Sequence, residues 1–241
     1  MSDYYFPLIE RKNISEGTMS FRLDTRSAPG FSFRAGQCSD FTLENPPETD
    51  SEGNSRTFSI ASSPTRQGDI LFATRMRPSA FKKSLAAMPL GTKIKVGDPG
   101  ASFTLHKNTA KPAVFLAGGI GITPVRSIVE WATAEKLQHS IYLFYSNRTA
   151  ALTAFLQDLV GWQKINPNFH FIGTLTGPAD PSWPYESGHI DSKMLKRHLQ
   201  DLTAPIFYIS GPPGMVSGLR QVLIQSGADE DNIRAEEFSG Y

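Results

Sequence analysis

Cysteine is almost absent from this chain of 241 residues, which has one, Cys38. A single cysteine excludes a disulfide within the chain, and it also excludes an iron–sulfur cluster held by four of the chain's own thiolates. We expect Cys38 to be a reduced thiol in a strand. If the protein handles electrons, the chain has no such cluster of its own to pass them on.

Long apolar runs and an excess of charge of one sign are also missing. The longest apolar stretch, residues 113–122, is far shorter than the roughly 20 residues of a membrane helix, and it contains two adjacent glycines. The formal net charge of +1 gives no reason to expect a concentrated basic face for nucleic-acid phosphates. Residues 1–14 contain charged side chains and no apolar segment of a secretory signal. We therefore predict a cytoplasmic protein with no membrane span and no nucleic-acid partner.

The histidines show no metal-binding pattern. None lies four residues from another, and none has an acidic companion at the spacing of metal ligands. We therefore predict no metal site, and surface or capping positions for all of the histidines, which are His106, His139, His170, His189 and His198.

The pattern of apolar residues changes near residue 110. Before it, short runs with a period of two are broken by proline, glycine and asparagine, which is typical of half-buried antiparallel strands. These runs are residues 19–24, 40–43 and 58–60, and apolar spacing indicates one helix at residues 79–88. Several short strands in this half favour a barrel or a sandwich.

After residue 110, predicted strands alternate with predicted helices. Residues 113–117 are a continuous apolar run, which is typical of a parallel strand buried on both faces. Thr123 is predicted as the N-cap of the next helix, with Pro124 at its first position. Further strands are predicted at residues 141–145, 169–175 and 206–209, and further helices at residues 152–159, 191–202 and 215–225. This alternation predicts a parallel sheet with helices on both faces.

The two patterns together predict two domains. We place the first at residues 1–108 and the second at residues 109–241, with residues 105–112 as the linker.

Two loops rich in glycine follow buried strands and precede helices. The first is Gly118-Gly119-Ile120-Gly121-Ile122-Thr123-Pro124, and the second is Ser210-Gly211-Pro212-Pro213-Gly214-Met215. Glycines let a phosphate approach the backbone, and a helix N-terminus offers unpaired N–H groups to an anion. The first loop matches neither the G-x-G-x-x-G pattern nor a Walker A loop. Because both loops follow strands of one predicted sheet, we expect them to face one ligand crevice.

A third motif, Arg56-Thr57-Phe58-Ser59, lies in the first half of the chain. An arginine can hold a diphosphate, and an aromatic residue two positions later lies on the same face of a strand. The alternative is an ordinary surface arginine beside an aromatic residue of a barrel strand.

Together, the three motifs resemble the ferredoxin–NADP reductase family in its compact bacterial single-subunit form. They occur in the family's order and at its spacing, and the resemblance extends from Gly36-Gln37 to Glu237-Phe238-Ser239-Gly240-Tyr241. The family implies a Greek-key FAD-binding β-barrel followed by an NAD(P)-binding α/β domain with a parallel sheet. This agrees with the change of pattern near residue 110.

The resemblance also implies roles for individual residues. Arg56 would contact the FAD diphosphate, Phe58 would pack on the isoalloxazine, and Ser59 would hydrogen-bond near flavin N5. The other FAD-binding residues would be Thr57, Thr74, Arg75 and Met76, with Ser79, Ala80 and Phe81 at the helix start that binds the diphosphate. The nicotinamide nucleotide would lie against Gly119, Gly121, Thr123, Pro124, Gly211, Pro212 and Met215. Ser59 and Ser210 are the catalytic candidates, and Ser210 stands where many family members have cysteine.

The end of the chain has two interpretations. In the first, Phe238 or Tyr241 covers the flavin ring in the resting enzyme and gates the access of the nicotinamide. In the second, the last residues form a strand that only completes the sheet, with Phe238 in the core and Tyr241 loose.

The second strand of the nucleotide domain ends in Tyr145-Ser146-Asn147-Arg148. A site for NAD usually has an acidic residue there, which accepts a hydrogen bond from the ribose 2′-OH. No acid occurs between Ile141 and Gln157. Ser146 and Arg148 can both donate to a 2′-phosphate, so we predict a nucleotide site that includes Ser146, Asn147 and Arg148 and prefers NADPH to NADH.

The resemblance implies an FAD-dependent oxidoreductase that transfers hydride between NAD(P)H and flavin. With no cluster of its own, it would pass electrons to a separate carrier such as ferredoxin or flavodoxin. One alternative is a diaphorase-like reductase of quinones, ferric chelates or free flavin. Another is a flavin-carrying reductase subunit of a larger complex, inactive alone.

Overall fold

The first half of the chain forms an antiparallel sheet of six strands, in a computed structural model that describes residues 3–238. The strands are β1 (Tyr4–Ser15), β2 (Thr18–Asp24), β3 (Cys38–Leu43), β4 (Ser55–Ser59), β5 (Asp69–Arg75) and β6 (Lys93–Val96). Their order in the sheet is β4-β3-β6-β1-β2-β5. One helix, α1 (Ala80–Ala87), connects β5 to β6.

Hydrogen bonds close this sheet into a barrel. Just after β4, the N–H of Ala61 donates to the carbonyl oxygen of Leu71 at 2.7 Å, and the N–H of Leu71 donates to Ser62 Oγ at 2.9 Å. The two edge strands, β4 and β5, therefore meet. Aromatic rings fill the interior: the rings of Phe41 and Phe72 have centroids 4.3 Å apart, and both are fully buried. Closure of this kind removes exposed sheet edges.

The second half of the chain forms a parallel sheet of six strands covered by helices on both faces. The strands are β7 (Ala113–Gly118), β8 (Ile141–Asn147), β9 (Phe169–Leu175), β10 (Glu186–Ser187), β11 (Ile206–Gly211) and β12 (Ile233–Glu237), and the helices are α2 (Ile122–Ala134), α3 (Leu156–Ile165), α4 (Ser192–His198) and α5 (Pro213–Gln225). The predicted fold class, an antiparallel Greek-key barrel followed by an α/β domain with a parallel sheet, is confirmed.

The order of strands in the second sheet is β10-β9-β8-β7-β11-β12. The chain therefore builds outward from β7 in one direction and then returns to the other side of β7 with β11. Open parallel sheets bind ligands at the point where the order reverses. The loops after β7 and β11, which are the two glycine-rich loops, flank this point.

Helix α2 begins earlier than the sequence predicts. A 3-10 turn (Gly119–Gly121) runs directly into α2, and Gly121 is the N-cap. The hydroxyl of Thr123 donates to the carbonyl oxygen of Ile120 at 3.0 Å, so it does not cap the helix. The prediction of Thr123 as N-cap and Pro124 as first residue is wrong, because the glycine loop is itself already helical.

A second predicted helix, at residues 152–159, is also divided in the structure. Phe155 has a left-handed backbone with φ of 60°, and it separates a 3-10 turn (Ala150–Leu152) from α3. The longest helices in residues 3–238, α2 and α5, have 13 residues each, and none has the length and apolar character needed to cross a membrane.

The segment predicted as a linker is bound to the second sheet. The ring nitrogens of His106 lie 3.0 Å from Tyr208 Oη and 2.9 Å from the carbonyl oxygen of Lys111. His139 Nε2 lies 2.8 Å from the carbonyl oxygen of His106. Because His106 and His139 are both buried, the prediction of surface or capping positions is wrong for these two histidines. A domain boundary between residues 108 and 109 stays a prediction.

Helix α2 joins the two sheets through polar contacts. Arg126 Nη1 donates to the carbonyl oxygen of Ala61 at 2.7 Å, and Ser127 Oγ donates to the carbonyl oxygen of Ser62 at 2.6 Å. The N–H of Ser63 donates to the carboxylate of Glu130 at 2.8 Å. The barrel residues in these three bonds, Ala61, Ser62 and Ser63, follow shortly after β4. Helix α2 is therefore fixed to the end of that strand.

Arg126 is 4% exposed and also lies 2.7 Å from the carboxylate of Asp158 and 3.1 Å from that of Glu130. Replacing Arg126 by alanine should lower the free energy of unfolding by about 2–4 kcal/mol, because the buried carbonyl oxygen of Ala61 and the carboxylate of Glu130 lose their donor. Urea denaturation measures this loss. The control is Arg220→Ala, which removes a surface pair with Glu230 and should cost less than about 1 kcal/mol. Equal losses in both variants would contradict the role of Arg126.

Candidate functional site

A cavity of about 700 Å³ lies between the barrel and the first glycine-rich loop. The barrel contributes residues of β4, of β5 and of the segment that leads into α1, and the second domain contributes Ile120, Thr123 and Phe238. The predicted flavin residues that line the cavity are Arg56, Thr57, Phe58, Ser59, Thr74, Arg75 and Ser79. The sequence therefore identified most of the barrel wall of this cavity.

Three predicted flavin residues do not line the cavity. The side chain of Phe81 is 1% exposed and belongs to the barrel core, and Met76 packs against the same core. Ala80 contributes its backbone N–H to the carboxylate of Asp50 at 3.0 Å. Their predicted contacts with FAD are not tested by this placement.

The sequence analysis also missed several lining residues. These are Glu52, Ala73, Arg77, Pro78, Lys82 and Ile120. Most of them flank the recognised motifs by one to three positions, and they could have been included on that ground alone.

The cavity wall fits the flavin ring at two residues. Ser59 is 3% exposed, and its hydroxyl is buried without a hydrogen-bond partner among residues 3–238. A buried hydroxyl without a partner is costly, so a ligand group that bonds it is expected. The ring of Phe58 stacks on Phe72 with centroids 5.2 Å apart while it also lines the cavity. An aromatic ring held from behind in this way suits a flat ligand.

The two glycine-rich loops touch each other. A Cβ on Gly121 would lie 2.4 Å from the carbonyl oxygen of Ser210, and a Cβ on Gly118 would lie 2.2 Å from Met215 Sδ. At Gly121 the contact is with backbone, so only glycine permits this approach, whereas at Gly118 the side chain of Met215 would have to shift. Ser210 is fully buried, and its hydroxyl donates to the carbonyl oxygen of Gly121 at 2.8 Å. Ser210 therefore links the loops in this structure, while its catalytic role stays a prediction.

The remaining predicted nucleotide residues lie along the same crevice. The ring of Tyr145 is fully buried and its hydroxyl donates to the carbonyl oxygen of Gly119 at 3.0 Å, which fixes the first loop from below. A Cβ on Gly211 would lie 3.3 Å from the backbone of Gly118. Pro212 is the N-cap of α5, and Thr123 and Pro124 lie in the first turn of α2.

The end of β8 offers further unpaired groups. The amide of Asn147 is buried and has no hydrogen-bond partner among residues 3–238. Arg148 is exposed and makes no ion pair within the described part of the chain, and Ser146 pairs with Gly118 in the sheet register. This edge of the crevice can therefore accept polar groups of a ligand.

The end of the chain forms β12, which completes the parallel sheet beside β11. The N–H of Phe238 donates to the carbonyl oxygen of Gly211 at 3.0 Å, and its half-buried side chain lines the cavity. Phe238 therefore lies where it can cover a bound ring. Tyr241 lies outside the described residues.

Glu236 is a residue that the sequence analysis missed. Its Oε2 is buried and has no hydrogen-bond partner in the described part of the chain, and burial raises the pKa of Glu236 to about 7. Burial also raises the pKa of the Cys38 thiol, and the negative charges of Glu236 and Asp40 raise it further. The carboxyl of Glu236 therefore lies close to β3, beside the strand of Ser59. The sequence feature that could have identified Glu236 is an acidic residue near the end of the last strand.

The described residues contain no arrangement of side chains that could bind a metal ion. Within residues 3–238, no group of three or more histidine, cysteine, aspartate or glutamate side chains is arranged to hold a metal ion.

The chain is similar to known reductases. Residues 115–221 match the oxidoreductase NAD-binding domain. The chain is 24% identical over 232 residues to the reductase component of propane 2-monooxygenase from Rhodococcus jostii, a match that covers 94% of this chain and 61% of that protein. It is 24% identical over 189 residues to reductase component 2 of terephthalate 1,2-dioxygenase from a Comamonas species, a match that covers 78% of this chain and 56% of that protein. The ferredoxin NADP+ reductase from Neisseria gonorrhoeae with bound FAD and NADP has a TM-score of 0.80 and 21% identity, covering 98% of this chain and 99% of that one.

These similarities support the predicted resemblance to the ferredoxin–NADP reductase family. The similar proteins and structures are oxidoreductases, which supports the prediction that this chain is an enzyme of that class. The chain spans 56% to 61% of the length of the two curated relatives, so their complete activities do not transfer to it as they stand.

Replacing Glu236 by glutamine should stabilise the protein in a pH-dependent way. Below pH 4.5 the carboxyl is protonated in the folded and the unfolded chain, so the substitution has little effect. As the pH rises from 4.5 to about 7, the unfolded chain ionises first and the wild type loses stability. The advantage of Glu236→Gln should therefore grow over this window to roughly 1–3 kcal/mol and then level off.

Urea denaturation between pH 4 and pH 8 measures this difference. Glu237→Gln is the matched control, because Glu237 is exposed on the same strand and should show no such growth. A constant difference for Glu236→Gln across the window would contradict the burial of its carboxyl.

Proposed function

We propose that the protein binds FAD non-covalently in the cavity and is reduced by a nicotinamide dinucleotide that lies in the adjacent crevice. The observation that carries this proposal is the buried Ser59 hydroxyl without a partner in residues 3–238, which lines a cavity that also reaches the first glycine-rich loop. Bound FAD supplies two-electron exchange with a nicotinamide and one-electron exchange with a carrier. The resemblance to the family supports the same pair of ligands, as do the FAD and NADP bound in the similar structure from Neisseria gonorrhoeae.

The chain's own residues would act chiefly by positioning. Ser59 would donate or accept a hydrogen bond at the polar edge of the flavin ring, and Phe58 would hold one face of that ring. The backbone of Gly119 and Gly121 would lie against the nucleotide, close to the N-terminus of α2. Phe238 would exclude water from the cavity until the nicotinamide displaces it. Such orientation and exclusion of water are the protein's share of hydride transfer.

Glu236 is a titratable group two residues before Phe238, and it lines a separate cavity together with Arg34 and Phe103. Because its pKa is raised to about 7, the carboxyl can hold or release a proton near neutral pH.

We propose that electrons leave to a separate protein carrier, such as ferredoxin or flavodoxin. The chain has one cysteine and thus no four-thiolate cluster of its own. A second candidate is service as the reductase of a larger complex, which the similarity to the propane 2-monooxygenase reductase component favours. A diaphorase-like reductase of quinones, ferric chelates or free flavin is the third.

One experiment tests the binding of FAD and separates transfer to a protein carrier from the diaphorase-like alternative. The purified chain should be yellow, and chromatography of the released flavin should show FAD, because the barrel offers two neighbouring diphosphate features, Arg56 and the start of α1. Anaerobic addition of NADPH should bleach the flavin, and ferredoxin or flavodoxin should then restore its colour. Release of FMN alone would refute FAD binding, and restoration only by quinones or ferric chelates would identify the diaphorase-like alternative.

We further propose that the nucleotide site prefers NADPH. Arg148 is exposed without an ion pair in residues 3–238, and Ser146 lies beside it at the end of β8. The first acid after this strand end, Asp158, is bound to Arg126 at 2.7 Å and is not placed to accept from a ribose. An arginine that donates to a phosphate contributes about 1.5–3 kcal/mol.

Arg148→Ala should therefore lower kcat/KM with NADPH by about tenfold or more and change kcat/KM with NADH little. Lys164→Ala is the control, since Lys164 is an exposed cation on α3. Steady-state reduction of an artificial dye measures both values. Equal losses with the two nucleotides would refute recognition of the 2′-phosphate by Arg148.

A further inference from the structure

The carboxylate of Asp50 occupies the point at which two predicted diphosphate donors meet. Its Oδ2 accepts the N–H of Ala80, the first residue of α1, at 3.0 Å. Its Oδ1 lies 3.3 Å from Arg56 Nη2. A guanidinium and a helix N-terminus both attract oxyanions. In this structure, the oxyanion that Arg56 and the start of α1 share is the carboxylate of Asp50.

The loop at residues 50–55 encloses Arg56. Arg56 Nη2 also lies 3.0 Å from the carboxylate of Glu52. Arg56 Nη1 donates at 2.9, 3.1 and 2.7 Å to three carbonyl oxygens, which are those of Glu52, Gly53 and Ser55. The guanidinium lies 5.3 Å from the ring centroid of Phe81 on α1. The loop and the start of α1 thus form one connected unit at the edge of the cavity.

The N–H of Ala80 is the largest cause of a lowered pKa of Asp50, and the N–H of Glu52 and the charge of Arg56 lower it further. The side chain is therefore an anion at neutral pH. An anion held by these donors competes with any other oxyanion for the same position.

Two more cations line the cavity without an anion of their own. Neither Lys82 nor Arg77 makes an ion pair or a side-chain hydrogen bond with any of residues 3–238. Burial lowers the pKa of Lys82, and the positive charges of Arg77 and Arg56 lower it further, although the charge of Glu52 opposes them. The Asp50 carboxylate thus leaves part of the positive charge at this end of the cavity uncompensated. A diphosphate carries more negative charge than one carboxylate.

We propose that Asp50 holds the place of the FAD diphosphate in the unloaded protein, and that FAD binding exchanges the carboxylate for the diphosphate, which also engages Lys82 and Arg77. This inference rests on the proposed binding of FAD. The exchange keeps the N–H of Ala80 and the guanidinium of Arg56 paired in both states, which avoids the cost of unpaired donors. The affinity for FAD is then set by how strongly Asp50 competes.

Titration of the flavin-free chain with FAD and with riboflavin tests the exchange, because riboflavin has the same ring and no phosphate. Asp50→Asn keeps an oxygen that can accept the N–H of Ala80 but removes the competing charge. It should bind FAD about three- to tenfold more tightly, a gain within the range of one lost ionic contact. Lys82→Gln and Arg77→Gln should each bind FAD about tenfold more weakly. Binding of riboflavin should change little in all three variants.

Two control variants belong to the experiment. Lys83→Gln removes a cation of α1 that is exposed and lies 3.7 Å from Glu48, outside the cavity. Asp180→Asn removes a carboxylate that accepts the N–H of Ser182 on the surface of the other domain. Both should bind FAD as the wild type does.

The outcomes distinguish this inference from the proposed function. The exchange is overturned if Asp50→Asn binds FAD no more tightly than Asp180→Asn, or if Lys82→Gln and Arg77→Gln match Lys83→Gln. It is also overturned if each variant changes the affinities for FAD and riboflavin by the same factor. Tight FAD binding by the wild type would leave the proposed function standing in each of these cases. Failure of the wild type to bind FAD at all would remove both.

Discussion

The attachment of α2 to the barrel is the contact on which the candidate site depends. Arg126 and Ser127 bind the two carbonyl oxygens that follow β4, and Ser59 is the last residue of that strand. The glycine-rich loop lies at the other end of the same connection, because it leads directly into α2. The path from the flavin side of the cavity to the nucleotide loop is therefore only a few residues long on each domain. A connection this short fixes the distance between the barrel side of the cavity and the first glycine-rich loop.

Arg126, the cation at the centre of this attachment, has a side chain that matches its several partners. The guanidinium of Arg126 bonds a carbonyl oxygen and two carboxylates, and it lies 4.7 Å from the ring centroid of Phe155 and 5.1 Å from that of Trp162. Only the planar guanidinium group offers this many donors together with flat faces. A buried ionic group of this kind contributes little net stability by itself, but its loss is costly. It therefore specifies how the domains meet more than it strengthens the fold.

The sequence predicted the parallel sheet better than the barrel. Strand β7 was predicted at residues 113–117 and spans Ala113–Gly118 in the structure, because a strand buried on both faces is a continuous apolar run. Strand β1 (Tyr4–Ser15) was not predicted, since its second half is exposed and register shifts interrupt its alternation. The alternation of apolar and polar residues arises because one face of a strand is buried. A strand segment that is exposed on both faces therefore shows little alternation.

The candidate site was predicted in part for a similar reason. Motifs identified the strand that carries Ser59 and the loop that carries Gly121, because glycines and an arginine near an aromatic residue are local signals. Asp50 and Glu236 were missed, because each acts on residues distant in sequence: Asp50 on Ala80, and Glu236 on Cys38. The buried histidines were missed for the same reason, since His106 contacts Tyr208 from the other end of the chain. Contacts between distant residues leave no periodic pattern.

The packing of the segment before β7 has a consequence for modularity. Phe103 is 4% exposed, and its ring lies against Tyr208 with centroids 5.5 Å apart, while Arg234 Nη1 donates to the carbonyl oxygen of Thr104 at 3.0 Å. The stretch that precedes residue 109 thus belongs in space to the half that follows it. A chimaera in which the nucleotide half is exchanged with that of a relative would need its junction upstream of Phe103. A junction at the change of sequence pattern would leave the apolar side of β11 uncovered.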